Sequence, residues 1–399
     1  MRHFGHIAPE VRQRLFHQEP CDFTASSPAR ILSVALGATL YSPATRPRLA
    51  DDIVKQAGRG VVSMVVCLED SIGDADVRDA EENLVRQFTD LAERASAAAA
   101  SGGPDAGAEL PLLFIRVRVP EQIPDLVTRL GAAARLVSGF VLPKFNEERG
   151  VPFLEALAAT ETASGIRLFA MPVLESPELL HLETRVETLT GIFRTVDKYR
   201  DRVLALRLGV TDFCSAYGLR RSPDMTAYDV RIVASVISDV VNLLARADGT
   251  GFTVTGPVWE YFPLQERMFK PQLRRSPFLE GRAEDLRESL IEHDMDGLLR
   301  EIALDQANGL LGKTCIHPSH VVPVHALSVV SHEEYSDAQD ILRPERCGGG
   351  VLRSAYTNKM NEVKPHRAWA ERTLLRAEVF GVAREDVGFV DLLTAGLAG

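Results

Sequence analysis

The chain has 399 residues, of which 45% are hydrophobic and 25% charged, the make-up of an ordinary water-soluble globular protein. Its net charge of −10 and pI near 5.6 exclude the basic, phosphate-neutralising surface of a nucleic-acid binder. No apolar run reaches the length of a membrane span, and the opening MRHFGHIAPEVRQRLF lacks the apolar stretch of a secretory signal.

Residues 1–30 read as an appendage with one helix over 8–17, followed by a link containing Pro and Ser. The first strand is predicted in ILSVALGATLY, ending in the two-proline turn SPATRP, and a short helix follows over 51–58. The second strand, residues 61–70, is almost continuously apolar, as expected of a strand covered on both faces, and stops at Glu69 and Asp70. A helix over 74–100 ends in the flexible connector SGGPDAGAE. The third strand is PLLFIRVRVP, with a helix over 123–136; the fourth spans 138–145, with a helix over 151–163. The fifth spans 166–175, with an interrupted helix over 177–196. The sixth is the apolar run 204–210, after which 213–217 opens a helical pattern and 228–247 is strongly amphipathic. The seventh is GFTVTGPVWEYFP, with an interrupted helix over 277–308, and the eighth is GLLGKTCIHP.

Eight apolar strands alternating with helices demand parallel pairing through crossover helices, and eight is the closing number of the (β/α)₈ TIM barrel. The predicted class is therefore α/β, a barrel over 31–330 with helical extensions at 1–30 and 331–399. A doubly wound sheet is disfavoured because no GxGxxG follows the first strand. The five cysteines are odd in number and far apart, which suits reduced thiols in a cytoplasmic protein, and no Cys/His spacing reads as zinc.

In a barrel of this kind the strand ends carry the chemistry. Glu175 ends the fifth strand and Asp212 follows the sixth, so both open onto the C-terminal mouth. Side-by-side carboxylates repel unless a cation or a proton lies between them, and a hard divalent ion is bound by one or two such groups. Each acid is also suited to capping a helix. Arg118 ends the third strand and Arg116 has the same parity one step deeper; a guanidinium there serves an anionic substrate or a structural ion pair. Lys144 closes the fourth strand, as a Schiff-base amine or, preferred here, an ion-pair partner. His317 ends the eighth, as a proton shuttle or a rim histidine. Gly256 and Pro257 suggest a close backbone approach to substrate phosphate.

Taken together, the segments resemble the HpcH/HpaI aldolase and citrate lyase beta-subunit superfamily. LYSPATRP is similar to its first-strand Arg-Pro turn, CLEDSIGDADVRDA to its LEDAV segment, and VRVPEQIPDLVTRLGAAARLVSGFVLPKF to its run from VRVP to PK. VLESPELL stands at its ETA motif, LGVTDFCSAYGL at its G-x-x-D segment, and GPVWEYF and GLLGKTCIHPSHVVPVHALSVVSHEEYSDA at its end. SAYTNKMNEVKPHRAW is closer to a divergent bacterial subgroup of C–C bond lyases from tellurite-resistance-type gene clusters. The resemblance implies a barrel with Mg²⁺ (or Mn²⁺) on Glu175 and Asp212, Arg118 as the substrate arginine, and Asp70, with Glu69, in the acidic catalytic segment. Arg46 of the Arg-Pro turn would join the substrate contacts. It also implies cleavage or formation of a C–C bond beside a carbonyl of a 2-oxo acid or CoA-type thioester, in a trimer or hexamer. Ser-Pro after Glu175, where the family has Thr-Ala, and Ala44, where it has Gly, are departures around the substrate.

The expected function is a metal-dependent lyase or aldolase whose enolate is stabilised by metal and Arg118. The alternatives are a metal-free Schiff-base aldolase on Lys144 or Lys313, and a non-catalytic metabolite-binding barrel. In the tail, Ala370, Leu374, Leu375, Val379 and Phe380 form an apolar stripe that must be buried, on its own barrel or on a neighbour's, and the resemblance favours the neighbour. Asn358, Lys359, Asn361 and Lys364 would then reach an adjacent anionic substrate.

Overall fold

In a computed structural model, described over residues 1–101, 110–262, 295–343 and 349–398, eight parallel strands form one sheet. They are β1 (Ala38–Pro43), β2 (Ser63–Cys67), β3 (Leu112–Arg116), β4 (Val137–Leu142), β5 (Phe169–Leu174), β6 (Leu206–Leu208), β7 (Val254–Thr255) and β8 (Lys313–Cys315). Each lies beside its sequence neighbour, and β8 returns to pair with β1. A bridge from Gly256 to Lys313 joins β7 to β8. That seam explains Gly256, because a Cβ there would lie 2.4 Å from Asp305 Oδ2 and 2.8 Å from the Gly312 carbonyl.

The crossover helices are α1 (Leu49–Ala57), α2 (Val77–Ser101), α3 (Gln122–Leu130), α4 (Glu147–Ser164), α5 (Leu182–Lys198), α6 (Arg231–Leu244) and α7 (Met295–Ala307), with α8 (Val321–Ser328) after β8. Strand residues alternate between two cores. Val65, Phe114, Val141, Met171, Val173 and Ala205 fill the barrel, while Met64, Val66, Leu113, Ile115, Leu206 and Leu208 pack on the helices. Among the described residues no helix is long and apolar enough to cross a membrane, and Cys21, Cys67, Cys214 and Cys315 are free thiols. Cys347, residues 277–294 of the expected seventh crossover helix, and most of the SGGPDAGAE connector lie outside the described residues.

The start of the first predicted strand is corrected. Ala29–Ala35 is a helix that buries Ile31, Leu32, Val34 and Ala35, and only after Gly37, at φ 48°, does the chain enter β1. A short apolar run satisfies helix and strand alike. The tail is corrected too. α9 (His332–Leu342), opened by a Ser331–Glu334 capping box, packs Ala338 and Ile341 against Ala370 and Leu374 of α10 (Val363–Phe380). Leu375, Val379 and Phe380 join the interior core at the N-terminal ends of the strands, with Phe23, Leu32 and Val62. The stripe thus covers the floor of its own barrel. Val382–Ala383 then pairs antiparallel with Phe16–Gln18, and α11 (Phe389–Ala398) follows.

Candidate metal centre

At the opposite end, the strands deliver a cluster of charge. β2 runs out at Cys67, and the next turn presents Glu69, buried, and Asp70, exposed. Arg116, the last residue of β3, reaches across with one nitrogen, Nη2, to Glu69 Oε2 (2.6 Å), Glu175 Oε1 (2.9 Å) and Asp70 Oδ2 (3.2 Å). Lys144, two residues beyond β4, adopts a left-handed backbone at φ 48°. Its amide N–H donates to Glu175 Oε1 at 2.9 Å, and its Nζ donates to Glu69 Oε1 at 2.7 Å. Glu175 follows β5 directly and is buried. The chain passes closely beneath it at Gly209, where a Cβ would come within 2.3 Å of Glu175 Cβ. Asp212 lies in the first turn of the helix Val210–Ser215, whose cap position is Gly209, so capping does not account for it.

Carboxylate oxygens of Asp70, Glu175 and Asp212 lie within 4.8 Å of one another. Burial, opposed by Arg116 and reinforced by Asp212, pushes the Glu175 carboxyl up to about 7. Burial and the charge of Asp70 raise Asp212 likewise. Among the described residues, two cations, Arg116 and Lys144, contact the cluster of four carboxylates that Asp70, Glu175 and Asp212 form with Glu69. Hard oxygen donors carrying uncompensated negative charge are the donor set a divalent ion takes, so the residues fit such an ion. A cavity of about 330 Å³ opens beside them, lined by Lys144, Arg149, Glu175, Ser176, Asp212 and Ser215 among others.

Several expected contacts are placed elsewhere. Arg118 is corrected: its guanidinium is held by the carbonyls of Leu68, Glu69 and Ile72 and by Asp74, which pins the β2–α2 loop. β3 ends at Arg116, so strand parity no longer carries Arg118 into the mouth. Arg46 pairs with Asp52 at the surface. Gly256 serves the seam, and Pro257 follows it there. His317 caps the turn Pro318–His320, with Nδ1 2.7 Å from Ser319 Oγ and its ring stacked on Phe262. Asn358 and Lys359, between the strands Val351–Arg353 and Met360–Glu362, bind Glu333, and Lys359 also pairs with Asp337 of α9. Their polar groups are engaged within the tail, away from the mouth.

Lys144 is not a free amine. Burial lowers its basicity, but the hydrogen bond and charge of Glu69, with Asp70, outweigh this and raise it. Lys313 is buried outside the barrel wall, its Nζ 2.8 Å from both Glu301 and Asp305 of α7. Neither amine is set up as a Schiff-base nucleophile.

A model of the family described as C–C bond lyase of the TIM-barrel fold matches residues 30–382. Among solved structures, a citrate lyase from Burkholderia xenovorans LB400 is similar at 17% identity and a TM-score of 0.58, covering 90% of this chain and 96% of that one. Protein CitE from Mycobacterium tuberculosis, in complex with magnesium, acetoacetate and coenzyme A, is similar at 17% identity and a TM-score of 0.51, covering 86% and 99%. No curated protein matches the chain.

Proposed function

The chain belongs to the C–C bond lyase family of the TIM-barrel fold, and from that premise we propose that it acts on a 2-oxo acid or acyl thioester with a divalent ion, Mg²⁺ for preference, held by Asp70, Glu175 and Asp212. It is an enzyme of C–C bond cleavage or formation; the metal and the substrate class are our reading. The observation that carries this reading is the convergence of the three carboxylates beside Arg116 at the C-terminal mouth. A magnesium complex of CitE from M. tuberculosis supports the choice of ion.

When bound, the ion supplies Lewis-acid charge for the oxyanion that develops as a bond beside a carbonyl breaks. The protein groups divide the remaining work. Arg116 gathers Glu69, Asp70 and Glu175 through Nη2, which leaves the other terminal nitrogen, among the described residues, to orient a substrate oxygen. Lys144 lines the cavity and hydrogen bonds Glu69, a carboxyl that burial shifts towards its neutral form. We assign to this pair, Nζ and Oε1, the handling of the proton that the new carbanion takes up.

Asp212→Asn should abolish both Mg²⁺ binding, read by calorimetry, and turnover of the preferred acid. Full activity in that variant with metal still bound would overturn the assignment. Borohydride trapping of a substrate adduct, with activity surviving a chelator, would replace the metal with a Schiff base.

A further inference from the structure

Inside the barrel, Arg207 is 1% exposed and has no carboxylate partner among the described residues. It is the central residue of β6, in register with Val173 of β5 on one side and Thr255 of β7 on the other. Val173 belongs to the interior core, so Arg207 shares the face that looks into the barrel. Its guanidinium crosses to β8, where Nη1 donates to Thr314 Oγ1 at 2.9 Å, and its Cζ lies 5.6 Å from the centroid of the Tyr41 ring of β1. Among the described residues, Nε and Nη2 are buried without hydrogen-bond partners, and so is Thr255 Oγ1 on the neighbouring strand.

A fixed buried cation without an anion is among the costliest arrangements a core can hold, and a guanidinium does not escape by shedding its proton in the ordinary pH range. The same layer carries two more polar groups, Thr255 and Thr314, where apolar side chains would pack better. Glu175 lies two residues beyond Val173, the register partner of Arg207, so the backbone of Arg207 lies about 7 Å below that of Glu175, a span of two strand residues.

We propose that Arg207, with Thr255 and Thr314, forms a second anion site on the floor of the mouth that takes the far carboxylate of the substrate. Arg116 and the acid cluster hold the reacting end and Arg207 holds the other, so the substrate is a dianion. This rests on the reading of the mouth as a metal-dependent 2-oxo acid or thioester site.

The test is calorimetric titration of the full-length Mg²⁺-loaded protein with pyruvate, which has one carboxylate, and with oxaloacetate and 2-oxoglutarate, which have two. The better dicarboxylate should bind at least about tenfold tighter than pyruvate, a difference that Arg207→Met erases. Thr255→Val, which keeps the shape and removes the hydroxyl, should weaken dicarboxylate binding about threefold and tests the site even where the arginine variant does not fold. Ligand-free Arg207→Met should melt higher than wild type, because it removes an unpaired buried charge; a lower melting point would mean that the protein itself supplies the partner. A dicarboxylate preference that survives Arg207→Met, or wild-type affinities for all three acids that agree within roughly twofold, would overturn the second site alone. Wild-type protein that binds no 2-oxo acid in Mg²⁺ would overturn the reading of the mouth as well.

Discussion

Two arginines a single residue apart in alternation have different fates. Arg116 and Arg118 share parity in the sequence, and nothing in the letters says at which of them the strand stops. The structure stops it at Arg116, whose Nη2 touches three carboxylates, while Arg118 is absorbed by three backbone carbonyls. Substitution separates the two roles. Arg116→Met should lower kcat/KM by about 10²-fold or more, the cost of removing a positioned charge from a developing oxyanion. Arg118→Met should instead destabilise the fold by about 1–3 kcal/mol, read by denaturant unfolding, with KM little changed. Glu175 and Asp212 could be singled out as candidates because two acids follow successive buried strands, where either could also have been a helix cap. Arg207 was not legible, since one basic letter in an apolar run gives no sign of which wall it faces.

At the level of elements, the turn from β6 into the helix Val210–Ser215 matters most for the centre. Gly209 is required by space rather than by backbone conformation: any Cβ would strike the Glu175 side chain. Gly209→Ala should therefore give a folded protein whose melting temperature Mg²⁺ does not raise, whereas wild type should be stabilised by an ion that binds only the folded chain. Alternation of apolar runs with amphipathic stretches was enough to count eight strands, because each period is written locally. The helix Ala29–Ala35 escaped that logic. Its four buried residues look strand-like in sequence and become helical only because the floor of the barrel needs a plug there.

For the whole molecule, the floor is where distant segments meet, and no local pattern announces it. His3 stacks on Phe380 with ring centroids 4.2 Å apart and lies edge-on to His325 at 4.5 Å. Burial pushes His3 down to about 3 and His325 well below its usual value. Both are therefore neutral in the folded chain, while in the unfolded chain they bind protons below about pH 6.5. The stability this difference contributes is fully present above that pH and declines as pH falls towards 3. The melting temperature should drop steadily over this window, with a shallower slope for His3→Leu. Truncation after Leu342 removes Leu375, Val379 and Phe380 from the floor. It should give an aggregating or partly unfolded chain that binds a hydrophobic dye, rather than a smaller native particle; a truncated protein with wild-type melting behaviour would contradict the role of the tail as a floor.

The pairing of Phe16–Gln18 with Val382–Ala383 also sets a timetable. A chain emerging from the ribosome at roughly 5–20 residues per second must hold its earliest strand idle for tens of seconds until its partner is made. Late in that interval, once Cys315 has been made, all eight barrel strands are available, yet the bottom of the barrel stands open, with Phe23, Ile31 and Leu32 lacking their cover. The nascent protein is thus a natural client for chaperones that recognise apolar surface. A circular permutant joining the two paired segments early in translation should fold with less need of them.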